Sequence, residues 1–348
     1  MAISVDIRRF KYSKSCISIK KFLFTILFLL FSFEVSLTTT WSYQITGTFI
    51  QLFERINYPS LPIDWNINEW LEEVRCMKEI GIDTVIVQYS MYDNDAYYSS
   101  VYGKIVTSND QIENILKVCD KEGLFVYLGL ALDSQWWKGV WNTKFLDQLR
   151  EKNIKVVKEL ISRYGKYRCM KGWYLPFEIE DRILLNPEKE KLLSRFVRDV
   201  VKDLKGLTPH LQIVLSPYFL GFVPPEILAS KWAKLFKSAG VDIVAVQDGA
   251  GRRNHKVSNE KIYRYFKAFN EEFRENNIRL WVDMEIYTQT KDWPNWDAKP
   301  IDIKSIKDRL YILGPLVEKI ICFEFTHYMS PRRGKEQKIL FEEYRRLK

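Results

Sequence analysis

Gly172-Trp173-Tyr174-Leu175-Pro176-Phe177-Glu178 and Leu280-Trp281-Val282-Asp283-Met284-Glu285 are two apolar, aromatic-rich runs, each ending in a carboxylate. Runs of this length and composition read as buried strands. A glutamate at such a place pairs poorly in a strand and is costly to bury, so its presence asks for a chemical reason. Outward from these two runs, strand-like and helix-like segments alternate from residue 45 onward. The strand candidates are 45–53, 84–92, 125–132, 172–178, 212–219, 243–247, 279–287 and 319–326. A helical pattern follows each: 68–80, 109–122, 143–164, 187–204, 225–239, 258–276, 303–313 and 334–347. This alternation argues for a parallel α/β sheet, and eight such units close a (β/α)8 TIM barrel. The two quoted runs are then strands four and seven, whose ends face each other across the barrel mouth. An open doubly wound sheet would show a glycine-rich phosphate loop after an early strand, and none is present.

The loops agree. Helix-to-strand connections are short and carry glycine where a helix terminates: Gly81, Gly123 and Gly240. Several strand-to-helix connections are long and aromatic: 54–67, 90–108, 133–142 and 288–302. Barrel enzymes build their sites on that face, so the asymmetry fits an enzyme. One domain, residues 41–348, follows an N-terminal segment of residues 1–40. That segment is basic up to Lys21 and then apolar from Phe22 to Phe33, about the length of a signal-peptide core and short of the ~20 residues of a membrane span. A cleaved signal peptide and a retained membrane anchor both predict a secreted or otherwise extracytoplasmic domain, with membrane contact only through this segment.

Composition narrows the chemistry. The net charge is +9, and six basic residues against two acidic ones in residues 1–40 supply +4 of it. The remainder is too mild and too dispersed to argue for nucleic acid as a partner. The cysteines Cys76, Cys119, Cys169 and Cys322 lack metal-site spacing. Cys76 and Cys119 fall on successive predicted helices and could pair, although free buried thiols are the plainer expectation. With only three histidines, a histidine-rich metal centre is not expected, and no metal or organic cofactor is implied.

Strand alternation then selects side chains. In strand four, Tyr174, Pro176 and Glu178 share one face, and Glu180 continues it. In strand seven, Asp283, Glu285 and Tyr287 share the inward face, while Val282, Met284 and Ile286 meet the helices. Glycoside hydrolysis needs one carboxyl group to protonate the leaving oxygen and a second to attack or stabilise the anomeric carbon. Glu178 and Glu285 are the catalytic candidates; a structural salt bridge is the competing explanation for the acids of strand seven. Gln51, Gln88, Tyr218, Gln247, Asp248 and Glu324 stand at other strand ends with hydrogen-bonding capacity suited to sugar hydroxyls. Gly249-Ala250-Gly251 lets the backbone approach a ligand closely. Trp65, Tyr92, Tyr97, Tyr98, Trp136, Trp137, Trp141, Trp293 and Trp296 lie in the mouth loops, where rings can stack on sugar faces or merely pack over the rim. Arg252 and Arg253 offer contacts to an acidic sugar.

Glu178 with its preceding strand, Ser216-Pro217-Tyr218-Phe219, Val246-Gln247-Asp248-Gly249-Ala250-Gly251 and Trp281–Glu285 resemble an uncharacterised bacterial family of glycosidase-like barrel domains, itself similar to the clan A glycoside hydrolases. The resemblance spans about residues 45–330. It implies a retaining mechanism with Glu178 as acid/base and Glu285 as nucleophile. Clan A enzymes usually carry asparagine before the acid/base glutamate; here Phe177 stands there, which leaves Glu180 as a rival acid. The expected substrate is an oligo- or polysaccharide. Two other readings remain open at this stage: a non-catalytic carbohydrate-binding barrel, and a hydrolase or lyase using Asp248 and Glu180 with metal assistance.

Overall fold

Eight parallel strands close on themselves: β1 (Ile45–Ile50), β2 (Thr84–Val87), β3 (Phe125–Gly129), β4 (Met170–Leu175), β5 (Gln212–Leu215), β6 (Ile243–Gln247), β7 (Arg279–Glu285) and β8 (Lys319–Phe323). Each pairs with its neighbours in sequence, and β8 returns to β1, so that Thr48 lies opposite both Val85 and Cys322. The computed structural model describes residues 43–53, 61–139, 141–254, 257–292 and 296–347. The N-terminal segment 1–40 and Trp293 lie outside the described residues.

The helices between strands are α1 (Ile67–Glu79), α2 (Gln111–Glu122), α3 (Thr143–Tyr164), α4 (Pro187–Leu207), α5 (Pro225–Ala239), α6 (Asn259–Glu275), α7 (Ile303–Leu313) and α8 (Lys335–Arg345). Their boundaries have local causes. Asn66 caps α1 in a reciprocal pair with Glu69, each side chain taking the other's backbone N–H. Asp110, Asn142, Asn186, Ser258 and Asp302 cap α2, α3, α4, α6 and α7 through their side-chain oxygens. Gly123 and Gly240 end α2 and α5 with φ of 79°, a left-handed conformation that glycine adopts without strain. The faces match the periodicity: α6 buries Ile262, Phe266, Phe269 and Phe273, and Phe269 stacks on Trp232 of α5 at 5.3 Å.

Alternation divides the strand residues between two cores. Phe49, Ile86, Tyr127, Tyr174, Val214, Ile243, Ala245, Trp281 and Ile321 pack inside the barrel. Residues of the other parity, including Val282, Met284 and Ile286, join the larger core between strands and helices. Gly172 makes room for Tyr127: a Cβ there would lie 2.2 Å from the Gln212 carbonyl and 2.7 Å from the tyrosine ring.

The barrel is the fold the sequence implied, with shorter strands and a richer mouth. Strand candidates 84–92 and 125–132 each split. After Val87 and Gly129 the chain leaves the barrel, and Met91–Tyr92 pairs with Ala131–Leu132 in a small sheet that also holds Asp95–Ala96 and Lys104–Ile105. Beyond β7, Tyr287–Lys291 and Asp297–Pro300 form an antiparallel pair. Cys76, Cys119, Cys169 and Cys322 are free thiols. Among the described residues, no helix is long and apolar enough to cross a membrane.

Candidate active site

β4 stops at Leu175, and the chain continues in extended form past Glu178. Tyr218 N–H donates to the Ile179 carbonyl at 2.9 Å, and bridges Glu180–Tyr218 and Tyr218–Gln247 carry the sheet order past the formal strand ends. The parity read from β4 therefore survives beyond it. Phe177 is buried against Phe196 at 4.8 Å and Trp136 at 5.3 Å. Glu178, of opposite parity, is half-buried. The Trp136 indole N–H donates to the Glu178 carbonyl at 3.2 Å, fixing the backbone beneath the carboxylate.

Glu285 ends β7 and is 3% exposed. The Gly251 N–H donates to its Oε2 at 2.7 Å, and Arg252 Nε stands 3.6 Å from Oε1. Gly251 cannot carry a side chain here: a Cβ would lie 2.5 Å from the Tyr287 carbonyl and 3.1 Å from Glu285 Oε2. Burial pushes the Glu285 pKa up. Arg252 opposes that, Asp248 adds to it, and the Gly251 N–H and Arg309 oppose it. A backbone N–H and a guanidinium facing this carboxyl group favour its anion.

Arg252 pairs with Glu285. Burial works against its charge, but Glu285, and more weakly Tyr287, Tyr218 and Glu178, hold it protonated. Its guanidinium lies 4.3 Å over the Tyr218 ring, and Nη2 donates to Gln247 Oε1 at 3.4 Å. Burial, then the Glu178 and Glu180 charges, push the Tyr218 hydroxyl pKa up. Beneath lies Asp283, 1% exposed, with Oδ2 accepting from the Ser216 hydroxyl at 3.2 Å and Oδ1 without a hydrogen-bond partner among the described residues. Burial, then the Glu285 and Asp248 charges, push its pKa well above the ordinary aspartate value, which favours the protonated form.

Several expected sugar ligands are committed to the protein itself. Asp248 is fully buried; Oδ1 accepts the N–H groups of Ala250 and Glu285, both at 3.1 Å, and Oδ2 accepts from Arg309 at 2.5 Å. Glu180 is paired with Arg182 at 2.7 Å. Glu324 is fully buried, and its Oε1 takes the His327 backbone N–H at 3.1 Å and a close contact from the same residue's imidazole. The Gln51 amide donates to Gln88 Oε1 at 2.9 Å, joining those two strand ends. Tyr287 is largely buried against Tyr328, Trp296 and Phe323. Most of the mouth aromatics pack. Tyr97, Tyr98 and Trp136 are buried, and Trp65, Tyr92, Trp141 and Trp296 lie half-buried against the core. Trp137 presents its face, 46% exposed, with its N–H bonded to the Tyr92 hydroxyl at 3.2 Å.

Asp181, next to these acids in sequence, fixes the facing loop. Its carboxylate accepts the backbone N–H groups of Leu220, Gly221, Phe222 and Val223 at 2.7–3.3 Å. Asp181→Ala is expected to cost about 2–3 kcal/mol, the scale of losing charge-assisted hydrogen bonds whose donors are partly rehydrated. A urea melt of the variant beside the wild type measures it.

Arg252, expected as a contact for an acidic sugar, directly follows the turn that approaches Glu285. Arg309, which holds Asp248 and the Glu285 carbonyl, escaped the sequence reading. Arg309 lies on α7 within the buried stripe Ile306, Leu310 and Leu313. A charge set into an apolar helical stripe signals a buried partner, and that signal was in the sequence.

Fold and strand-end carboxylates together define a (β/α)8 barrel with an acidic mouth. The chain belongs to the family described as "Domain of unknown function (DUF4434)", whose profile matches residues 45–335. No curated protein matches it. Among solved structures it resembles a "putative alpha-L-fucosidase" from Bacteroides thetaiotaomicron VPI-5482, at 25% identity and TM-score 0.72, over 88% of this chain and 93% of that one. The intracellular xylanase TsXylA of Thermoanaerobacterium saccharolyticum JW/SL-YS485 aligns at 12% identity and TM-score 0.51, over 82% and 87%. A GH18 chitinase from Pseudoalteromonas aurantia aligns at 14% and 0.51, over 86% and 99%. The last two likenesses speak to the fold.

Proposed function

We propose that this protein is a glycoside hydrolase acting on an oligo- or polysaccharide, with Glu285 as nucleophile and Glu178 as acid/base. The observation that carries the reading is the environment of Glu285: a buried carboxylate held by a backbone N–H and a guanidinium, with that guanidinium also feeling Glu178. A buried anion with oriented donors suits attack on an anomeric carbon. A more exposed carboxyl group, Glu178, whose charge reaches the same guanidinium, suits proton exchange with a leaving group and then with water. The name of the structural neighbour at 25% identity, a putative alpha-L-fucosidase, supports the reaction class.

In the first step Glu285 Oε bonds to the anomeric carbon as the glycosidic C–O bond breaks, and Glu178 gives its proton to the departing oxygen. In the second, Glu178 takes a proton from water, the water oxygen bonds to the anomeric carbon, and Glu285 leaves. The anomeric configuration is retained. The alternative pairing of Asp248 with Glu180 is unfavourable, because Arg309 and Arg182 occupy those carboxylates. The basic-then-apolar N-terminal segment leads us to propose that the domain works outside the cytoplasm.

The test is hydrolysis of aryl-glycoside and polysaccharide panels by residues 41–348, with the first-formed anomer read by proton NMR. Turnover with a retained anomer is expected. An inverted product overturns Glu285 as nucleophile. Saccharide binding by calorimetry with no turnover on any sugar overturns the enzyme reading in favour of a carbohydrate-binding barrel, for which exposed Trp137 would supply a stacking face.

A further inference from the structure

We propose that Asp248 and Arg309 form a positioning pair for Glu285. Neither touches a substrate; they act by fixing that glutamate's backbone and the turn that carries its anion-stabilising donors. The inference rests on the reading that Glu285 works as a carboxylate at the barrel mouth.

The geometry is concentrated on one residue. Asp248 Oδ1 accepts the Glu285 N–H at 3.1 Å, and Arg309 Nη1 donates to the Glu285 carbonyl at 2.9 Å. Both flanking peptide groups of Glu285 are therefore held by one ion pair, whose own members meet at 2.5 Å. Asp248 Oδ1 also accepts the Ala250 N–H at 3.1 Å, which locks the 249–251 turn. That turn delivers the Gly251 N–H to Glu285 Oε2 and Arg252 to Oε1. Asp248 N–H donates to the Asp283 carbonyl at 3.0 Å, and Arg309 Nε to the Ser305 carbonyl at 3.2 Å, so the pair is itself anchored on β7 and α7.

Stability is a poor reason for such a pair. Asp248 and Arg309 are 0% and 1% exposed, and Arg309 Nη2 has no hydrogen-bond partner among the described residues. Dehydrating two charges offsets much of their attraction, and apolar replacements of buried ion pairs are often neutral or stabilising. What the pair supplies is geometry at the end of β7, where the strand gives way to the mouth. A displacement of about 1 Å at a reacting group costs about a hundredfold in rate.

The titration of Glu285 is the readout. Around it stand Arg252 from the β6–α6 turn, Asp248 at the end of β6, Arg309 from α7, Asp283 on its own strand and Glu178 across the mouth. Removing the pair deletes Asp248, which raises the Glu285 pKa, and Arg309, which lowers it less, so the direct effects alone would lower the pKa. Displacement of Gly251 and Arg252 acts the other way and raises it.

Two variants test this: Asp248→Asn with Arg309→Met, which removes both charges together, and Arg309→Lys, which keeps the charge but loses the Nε–H that anchors the head group on the Ser305 carbonyl. The Glu285 carboxyl carbon is followed in 13C-glutamate protein, its signal assigned by its loss in Glu285→Gln. The expected result is a midpoint raised by about one unit in the double variant, the scale of one lost partner, and by less in the lysine variant. Thermal melts close to wild type establish that each variant is folded. A folded variant whose Glu285 titrates as in the wild type overturns the proposal. On a turned-over substrate, kcat should fall about a hundredfold with little change in KM. If the wild type hydrolyses nothing, the enzyme reading fails alone, because the titration still decides the positioning role.

Discussion

Glu285→Gln is expected to abolish turnover of every glycoside, while Glu178→Gln is expected to spare those with good leaving groups. The amide that replaces the Glu285 carboxylate cannot form the glycosyl ester, and loss of the nucleophile lowers kcat by at least about 10⁴-fold whatever the leaving group. Loss of the proton donor costs about 10²–10⁴-fold when the leaving oxygen needs a proton, and far less for a dinitrophenolate that departs as an anion. Azide should separate the roles further. It can enter without base catalysis, so it should accelerate Glu178→Gln and give a glycosyl azide of retained configuration. In Glu285→Ala, which leaves room for it, the same anion should replace the missing nucleophile and give the inverted azide. The rival acid is testable by the same comparison. Glu180→Gln should show no leaving-group dependence, because Arg182 already claims that carboxylate. A leaving-group signature in Glu180→Gln and none in Glu178→Gln would exchange their assignments.

How much of this arrangement the sequence disclosed depends on the kind of signal each part left. The barrel was legible because the βα period repeats and glycines such as Gly123 and Gly240 sit where helices stop. Strand ends were not. In 125–132 the apolar run continues past Gly129 into Ala131–Leu132, which pairs with Met91–Tyr92, and both environments select the same apolar residues. Inward parity was legible for Asp283 and Glu285 because a strand alternates strictly. What a side chain meets after it turns inward was not. Asp248 and Gln247 are adjacent polar residues at one strand end, yet Asp248 is sealed under Arg309 while Gln247 reaches Arg252. Choosing between them requires knowing that α7 places an arginine 61 residues away against β6. The tryptophan loops taught the same lesson. Composition shows that Trp136 and Trp137 lie at the mouth, and packing decides that one is core and the other a face to solvent.

Arg252→Met is expected to lower kcat/KM by about 10²–10³-fold and to move the acidic limb of the pH profile upward. The sign follows from the site. Glu285 must be ionised to attack, and burial already raises its pKa above the ordinary carboxylate range. Activity is therefore lost as pH falls through a value higher than that of a solvated glutamate. Arg252 is the largest influence opposing that rise, so its removal lifts the midpoint further and narrows the active range from the acid side. The limb belongs to the cluster rather than to one residue, because Asp283 and Asp248 share the cavity. Burial and the neighbouring charges push the Asp283 pKa up, and Asp248 keeps Arg309, so Arg252 is the group whose loss the limb should register. Part of the deficit should recover at alkaline pH, where Glu285 ionises even without its partner. The remainder measures what the guanidinium does besides set that charge: it lies over Tyr218 and reaches Gln247, holding two strand ends in register with the nucleophile. Arg252→Lys separates the two contributions, since an ammonium restores charge without the planar stacking surface. Its acid limb should return toward that of the wild type while kcat stays low. The profile of kcat/KM across the acidic to alkaline range for all three proteins is the measurement. An acid limb that does not move in Arg252→Met would mean that Glu285 is not the carboxylate whose ionisation the reaction needs.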